Sequence, residues 1–143
     1  MTKRLSGLLA IAALAVTVAA PLSAQSIRVT ATIPFDFTVG NKTMPSGEYS
    51  VLSASPTYIL RIQNFETKAG ALAVTGSVGG GDSSQAGSPR LVFNRYGDHY
   101  VLAQVWDGYS GTGHGLPMTR SERELAKTAS VKRIEILAML MPR

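Results

Sequence analysis

Residues 33 to 51 limit what this chain can become more than any other stretch. In Ile33-Pro34-Phe35-Asp36-Phe37-Thr38-Val39, the residues Phe35, Phe37 and Val39 fall on one side of an extended backbone and Asp36 and Thr38 on the other. That period of two belongs to a half-buried strand. Gly40-Asn41 follows, and both residue types accept the positive φ that a two-residue hairpin turn demands. Met44-Pro45-Ser46-Gly47 then reverses the chain again, with proline presetting φ and glycine closing the turn. Tyr49 and Val51 restart the alternation. A long helix cannot run through so many breakers, whereas a β fold uses each of them. Pro34 has no N–H to give to a ladder, so a bulge or a change of partner or sheet is expected there.

The chain on either side keeps the pattern. Ile27, Val29 and Ala31 alternate with Arg28, Thr30 and Thr32, giving a first strand with one wet face. Residues 47–53 make a strand, Ala54-Ser55-Pro56 a turn, and 57–63 a strand with Tyr58, Leu60 and Ile62 opposite Ile59 and Arg61. A polar connection at Asn64–Lys68 leads to a strand over 69–78. The Gly- and Ser-rich segment 79–88 reads as a linker. A phosphate cradle would need a helix directly after it, and Pro89-Arg90-Leu91-Val92-Phe93 reads as strand instead. Strands at 89–96 and 99–107 flank a second tight turn, Gly97-Asp98. On the later strand Tyr100, Leu102, Gln104 and Trp106 share a face opposite Val101, Ala103 and Val105. Residues 108–115, rich in glycine, read as loop. Thr119 or Ser121 can cap a short helix ending near Ala129, since Thr119-Arg120-Ser121-Glu122 has capping-box spacing. Residues 131–140 close the chain as a strand. About seven or eight strands with one late helix predict a mainly β, antiparallel β-sandwich, with a small barrel as the alternative.

The first residues read as an address. Lys3 and Arg4 precede an apolar run from Leu5 to Ala20, and Pro21-Leu22-Ser23-Ala24 offers small residues for cleavage, so 1–24 is expected to be an export signal and 25–143 one domain. A membrane anchor is the alternative reading of the run. No cysteine follows it to carry a lipid, and the chain has no cysteine at all. An exported domain without disulfides must hold itself together by packing. Losing Lys3 and Arg4 lowers the net charge from +5 to +3. The basic cluster Arg120, Arg123, Lys127, Lys132 and Arg133 is broken up by Glu122, Glu124 and Glu135, which reads as a solvated mixed-charge face rather than a nucleic-acid site. Weak attraction of 120–133 to an anionic lipid or polymer is the membrane contact expected beyond the signal segment.

Few residues offer chemistry. The two histidines, His99 and His114, lack HxH or HExxH spacing, so neither a metal site nor a cofactor is expected. Ser110 and His114 lack the nucleophile-elbow pattern, and Asp98 sits where a hairpin turn favours Asp in any case. A hydrolase reading would need Asp98, His99, Asp107 and His114 to converge. Tyr96, Trp106 and Tyr109, close to glycine-rich turns, are the candidate ligand-binding residues, because aromatic rings at a sandwich end can stack on a sugar or a partner's side chain. Burial of Trp106 in the core is the competing reading.

Three passages resemble one another's counterparts in a known group: Pro34 to Tyr49, Leu91 to Tyr100 continuing through Gln104-Val105-Trp106, and Arg120 to Lys127. Together they resemble a group of small exported proteins, numerous in acidobacterial genomes, for which no activity is established. The resemblance implies a Gram-negative envelope or secreted context and a β-rich fold, and carries no catalytic residues. The expectation is therefore a non-catalytic binding or structural module of the periplasm or cell surface, with an envelope protein or glycan as partner. The alternative is a small hydrolase or carbohydrate-active protein using His99, Asp107 and His114.

Overall fold

The computed structural model describes residues 27–54, 58–79, 87–108 and 112–142. Strand β1 (Arg28–Ile33) ends at Pro34, and the chain passes there from one sheet to a second. In the second sheet β2 (Phe37–Val39) and β3 (Lys42–Met44) form the expected hairpin, with Val39 opposite Lys42 across the Gly40-Asn41 turn. Gly40 has φ +60°, the left-handed region where a side chain would be strained. The Pro45-Ser46 turn returns the chain to the first sheet for β4 (Gly47–Ala54), which lies between β1 and β5 (Ile59–Asn64). Asp36 accepts a hydrogen bond from the Ser46 amide at 2.8 Å, tying the two crossings together.

The stretch read as one strand over 69–78 is two. β6 (Gly70–Val74) is the edge of the first sheet and β7 (Gly76–Gly79) the edge of the second. Thr75 makes the corner: its amide and its Oγ1 both donate to the Tyr58 carbonyl at 2.8 Å. The closing stretch bends in the same way. β11 (Val131–Leu137) borders the second sheet, and β12 (Met139–Leu140) borders the first, beside β1. At the bend between them the Ala138 amide donates to the Pro89 carbonyl at 2.9 Å. Each side of the sandwich is thus closed by one continuous extended segment, which curls the two sheets toward a barrel. Covering the edges in this way removes sites for unwanted strand pairing.

Within the second sheet, β8 (Arg90–Tyr96) and β9 (His99–Trp106) form the long central hairpin around Gly97-Asp98. Its register shifts between Val92 and Phe93, where Val92 faces Gln104 and Phe93 faces Leu102. Ala103 is the extra residue of this bulge, so the alternation on β9 changes phase: Leu102 and Val105 both point into the core. Trp106, expected to share a face with Leu102, instead lies on the outer face. The glycine-rich stretch read as loop supplies β10 (Thr112–Gly115), which joins β9 to β7. Gly113 is required there, because a Cβ would come within 2.6 Å of the Trp106 ring that lies across it. The other half of that β9 edge is taken by β2, which pairs parallel at Thr38 and Val101.

The core lies between the sheets. Its centre is aromatic: Phe37 meets Tyr49 and Phe93 edge-on at 5.1 and 5.4 Å, and Phe35 meets Phe93 edge-on and stacks on Tyr100 at 3.8 Å. Edge-on rings at these spacings are favourable beyond the area they bury. Helix α1 (Arg120–Thr128) lies outside the second sheet. Thr119 caps it, accepting from the Glu122 amide at 3.1 Å. Among the described residues no helix is long and apolar enough to cross a membrane.

Candidate functional site

The outer face of β8 carries Arg90, Val92, Asn94 and Tyr96, since Leu91 and Phe93 point inward. At the hairpin end of this face sits Glu122, an acidic side chain only 5% exposed. Its Oε1 accepts from the Tyr96 hydroxyl at 2.9 Å and from the Asn94 amide at 3.2 Å. Glu122 therefore fills the capping-box position without bending back to Thr119; it pins the helix to the sheet. Burial, and next the bond to the Glu122 carboxylate, push the Tyr96 phenol up to about 12.

Beside this clamp lies an open cleft of about 910 Å³, bounded by the β2–β3 hairpin, the turn after β8 and the start of α1. Asp36, Asn41, Thr43, Asp98, Ser121 and Glu124 give it hydrogen-bonding groups, and among the described residues no Lys or Arg lines it. His99 also faces it. Among the described residues no group of three His, Asp or Glu side chains comes together as a metal site would need.

The sequence-expected residues are divided between the two ends of β9. Tyr96 pairs with His99 and Arg90 with Trp106, so the Tyr96 and Trp106 rings are about 20 Å apart along the ladder. Neither presents a ring face to solvent, Tyr96 being 2% and Trp106 6% exposed. Trp106 is outside the aromatic core: it lies under the Arg90 guanidinium, 4.6 Å from the ring centroid, and its N–H donates to Gln104 at 3.0 Å. Tyr109 and Ser110 are outside the described residues, as are the 1–24 segment and most of the 79–88 linker. The histidines and acids do not converge either. Asp98 and His99 border the cleft, whereas His114, opposite Val105, is about 20 Å away along β9. His114 Nδ1 is 3.1 Å from Thr75 Oγ1 at the sheet corner. Burial pulls the His114 imidazole below its ordinary value, opposed by the nearby Asp107 carboxylate.

Three of the five residues of the basic cluster make local contacts. Lys127 meets Glu124 at 3.0 Å and Arg133 meets Glu135 at 3.7 Å, while Arg123 donates to the Met118 carbonyl. Missing from the sequence reading were the cleft itself, the burial of Glu122 and the Thr75 corner. The capping-box spacing marked Glu122, but only the β8 register reveals what it touches.

This geometry defines a two-sheet, mainly β protein with an outboard helix and, at one end of its central hairpin, a cleft in which acidic and hydroxyl side chains border a largely apolar surface that includes Phe37, Val101 and Leu125. The chain matches no protein-family model, no curated protein and no solved structure.

Proposed function

We propose that this protein is an exported, non-catalytic binding module of the bacterial envelope, and that the cleft beside α1 takes a neutral or amino-bearing glycan. The observation that carries this reading is the lining. Hydroxyl, amide and carboxylate groups from three separate elements border one open volume beside the apolar Phe37, Val101 and Leu125, with no Lys or Arg among the described residues that line it. Such a surface can hydrogen-bond a polyol and favours an ammonium group, while it repels phosphate or sulfate. The buried acid there, Glu122, is already committed to Tyr96 and Asn94, which suits a structural role better than proton transfer. The export signal and the resemblance to small envelope proteins support the location.

The hydrolase reading now draws on Asp98 and His99 alone, since both border the cleft. Titration of soluble envelope glycan fragments separates the two. The binding reading expects saturable association that Asp98→Asn and Ser121→Ala each weaken about tenfold, with unchanged melting and intact fragments recovered. No saturable binding by any fragment would overturn it, and cleavage products lost on His99→Gln would establish the hydrolase instead.

A further inference from the structure

On the side of the sandwich away from α1, the outer face of the first sheet is uncovered. Val29, Ala31, Tyr49, Val51, Leu60, Ile62 and Ala73 point into the core, so the alternate residues of β1, β4, β5 and β6 point outward. The register sets them in rows: Arg28, Leu52, Arg61 and Leu72 across the middle, and Ala54, Ile59 and Val74 beside them. Met139 joins the same face next to Thr30. Leu72 is 70% and Val74 62% exposed at the β6 edge, and with the half-buried Leu52, Ala54 and Ile59 beside them they form an apolar band with water on it, while Met139, 72% exposed, stands apart at the β12 edge. Soluble proteins seldom leave such a band without a partner.

Charge narrows the partner. Arg28 and Arg61 flank Leu52, one strand spacing to each side, and line a shallow pocket of about 340 Å³ with Leu52, Ser53 and Ala54. Both are exposed, and among the described residues neither guanidinium has a hydrogen bond or an ion pair. Glu48 is the carboxylate this register puts on the face, four residues along β4 from Leu52 and so about 13 Å away. A two-fold dimer centred on Leu52 would set arginines against arginines, with Glu48 too far along β4 to come between them, which costs association. An anionic leaflet satisfies both features at once: the apolar side chains enter the acyl boundary and the guanidinium groups remain at the phosphates.

We infer that the outer face of the first sheet docks reversibly on an anionic phospholipid surface through Arg28, Arg61, Leu52, Leu72 and Val74. The glycan cleft lies on the opposite sheet, so either reading can fail without the other.

The chain contains no cysteine, so a single introduced one can be labelled without ambiguity. Protein recovered after export, carrying Leu72→Cys or, on the opposite sheet, Val131→Cys, would be labelled with an environment-sensitive nitrobenzoxadiazole dye. It would then be titrated with vesicles of phosphatidylglycerol and phosphatidylcholine, or of phosphatidylcholine alone. The expected result is a severalfold rise in emission at position 72 on the anionic vesicles and none at 131. Each basic group near an anionic leaflet contributes about fivefold to partitioning, so Arg28→Gln with Arg61→Gln should weaken vesicle binding about thirtyfold. Three results would overturn the inference: equal responses at 72 and 131, a response at 72 that persists on phosphatidylcholine alone, or a concentration-dependent response without vesicles, which would make a second copy the occupant.

Discussion

Replacing Tyr96 by Phe removes one oxygen from the clamp that holds α1 against the second sheet. The lost bond runs to a buried carboxylate, and hydrogen bonds to charged groups contribute about 1.5–3 kcal/mol. Glu122 keeps Asn94 as a donor, so its charge is left half satisfied rather than stranded. A loss of about 2 kcal/mol is expected, which for a domain of this size lowers Tm by about 8 °C. Glu122→Gln retains an acceptor but no charge, so Tyr96→Phe should cost only about 1 kcal/mol in that background. The double-mutant cycle therefore predicts a coupling of about 1 kcal/mol. Urea unfolding read by the emission of Trp106, the chain's single tryptophan, supplies all four stabilities. A Tyr96→Phe cost below about 0.5 kcal/mol, or the same cost in both backgrounds, would refute the clamp.

Gly113→Ala should lose about 2 kcal/mol and shift Trp106 emission to the red, because the new methyl group occupies the place of the ring and displaces it from beneath Arg90; unchanged emission would contradict the packing. The Tyr96 phenol, raised to about 12 against 10 in the unfolded chain, contributes stability that is complete below pH 10 and lost as pH rises toward 12. Melting across that window should show the decline, and Tyr96→Phe should shrink it. His114 acts in the opposite sense: its lowered value stabilises the neutral form, so its contribution is complete above the ordinary imidazole range and fades as pH falls below it. His114→Gln should flatten the acid side of the stability profile between pH 7 and the onset of global acid unfolding.

Local chemistry was enough to read much of the fold. The Gly40-Asn41 and Gly97-Asp98 turns, the break at Pro34 and the Thr119 cap each follow from one or two residues and their backbone preferences. The misreadings share a physical cause, since each depended on a contact distant in sequence. Nothing in Ala69–Val78 announces that Thr75 will turn the strand onto the other sheet, because the signal is the Tyr58 carbonyl it reaches. The glycines at 113 and 115 resemble a loop until the Trp106 ring above Gly113 gives them a reason to lie in a strand. The bulge at Ala103 moved Trp106 out of the face that strict alternation assigned to it. The cleft was hidden for the same reason: Asn41, Asp98 and Ser121 come from three elements far apart in the chain, brought to one side by the parallel contact of β2 with β9 and by the Glu122 clamp that holds α1.

Chemical-shift mapping on isotope-labelled protein, titrated with envelope glycan fragments, tests the binding account most directly. The account predicts shifts gathered at Asn41, Thr43, Asp98 and Ser121, with fragments recovered unaltered. Shifts gathered around Trp106 and His114 at the other end of β9, or fragments returned cleaved, would contradict it.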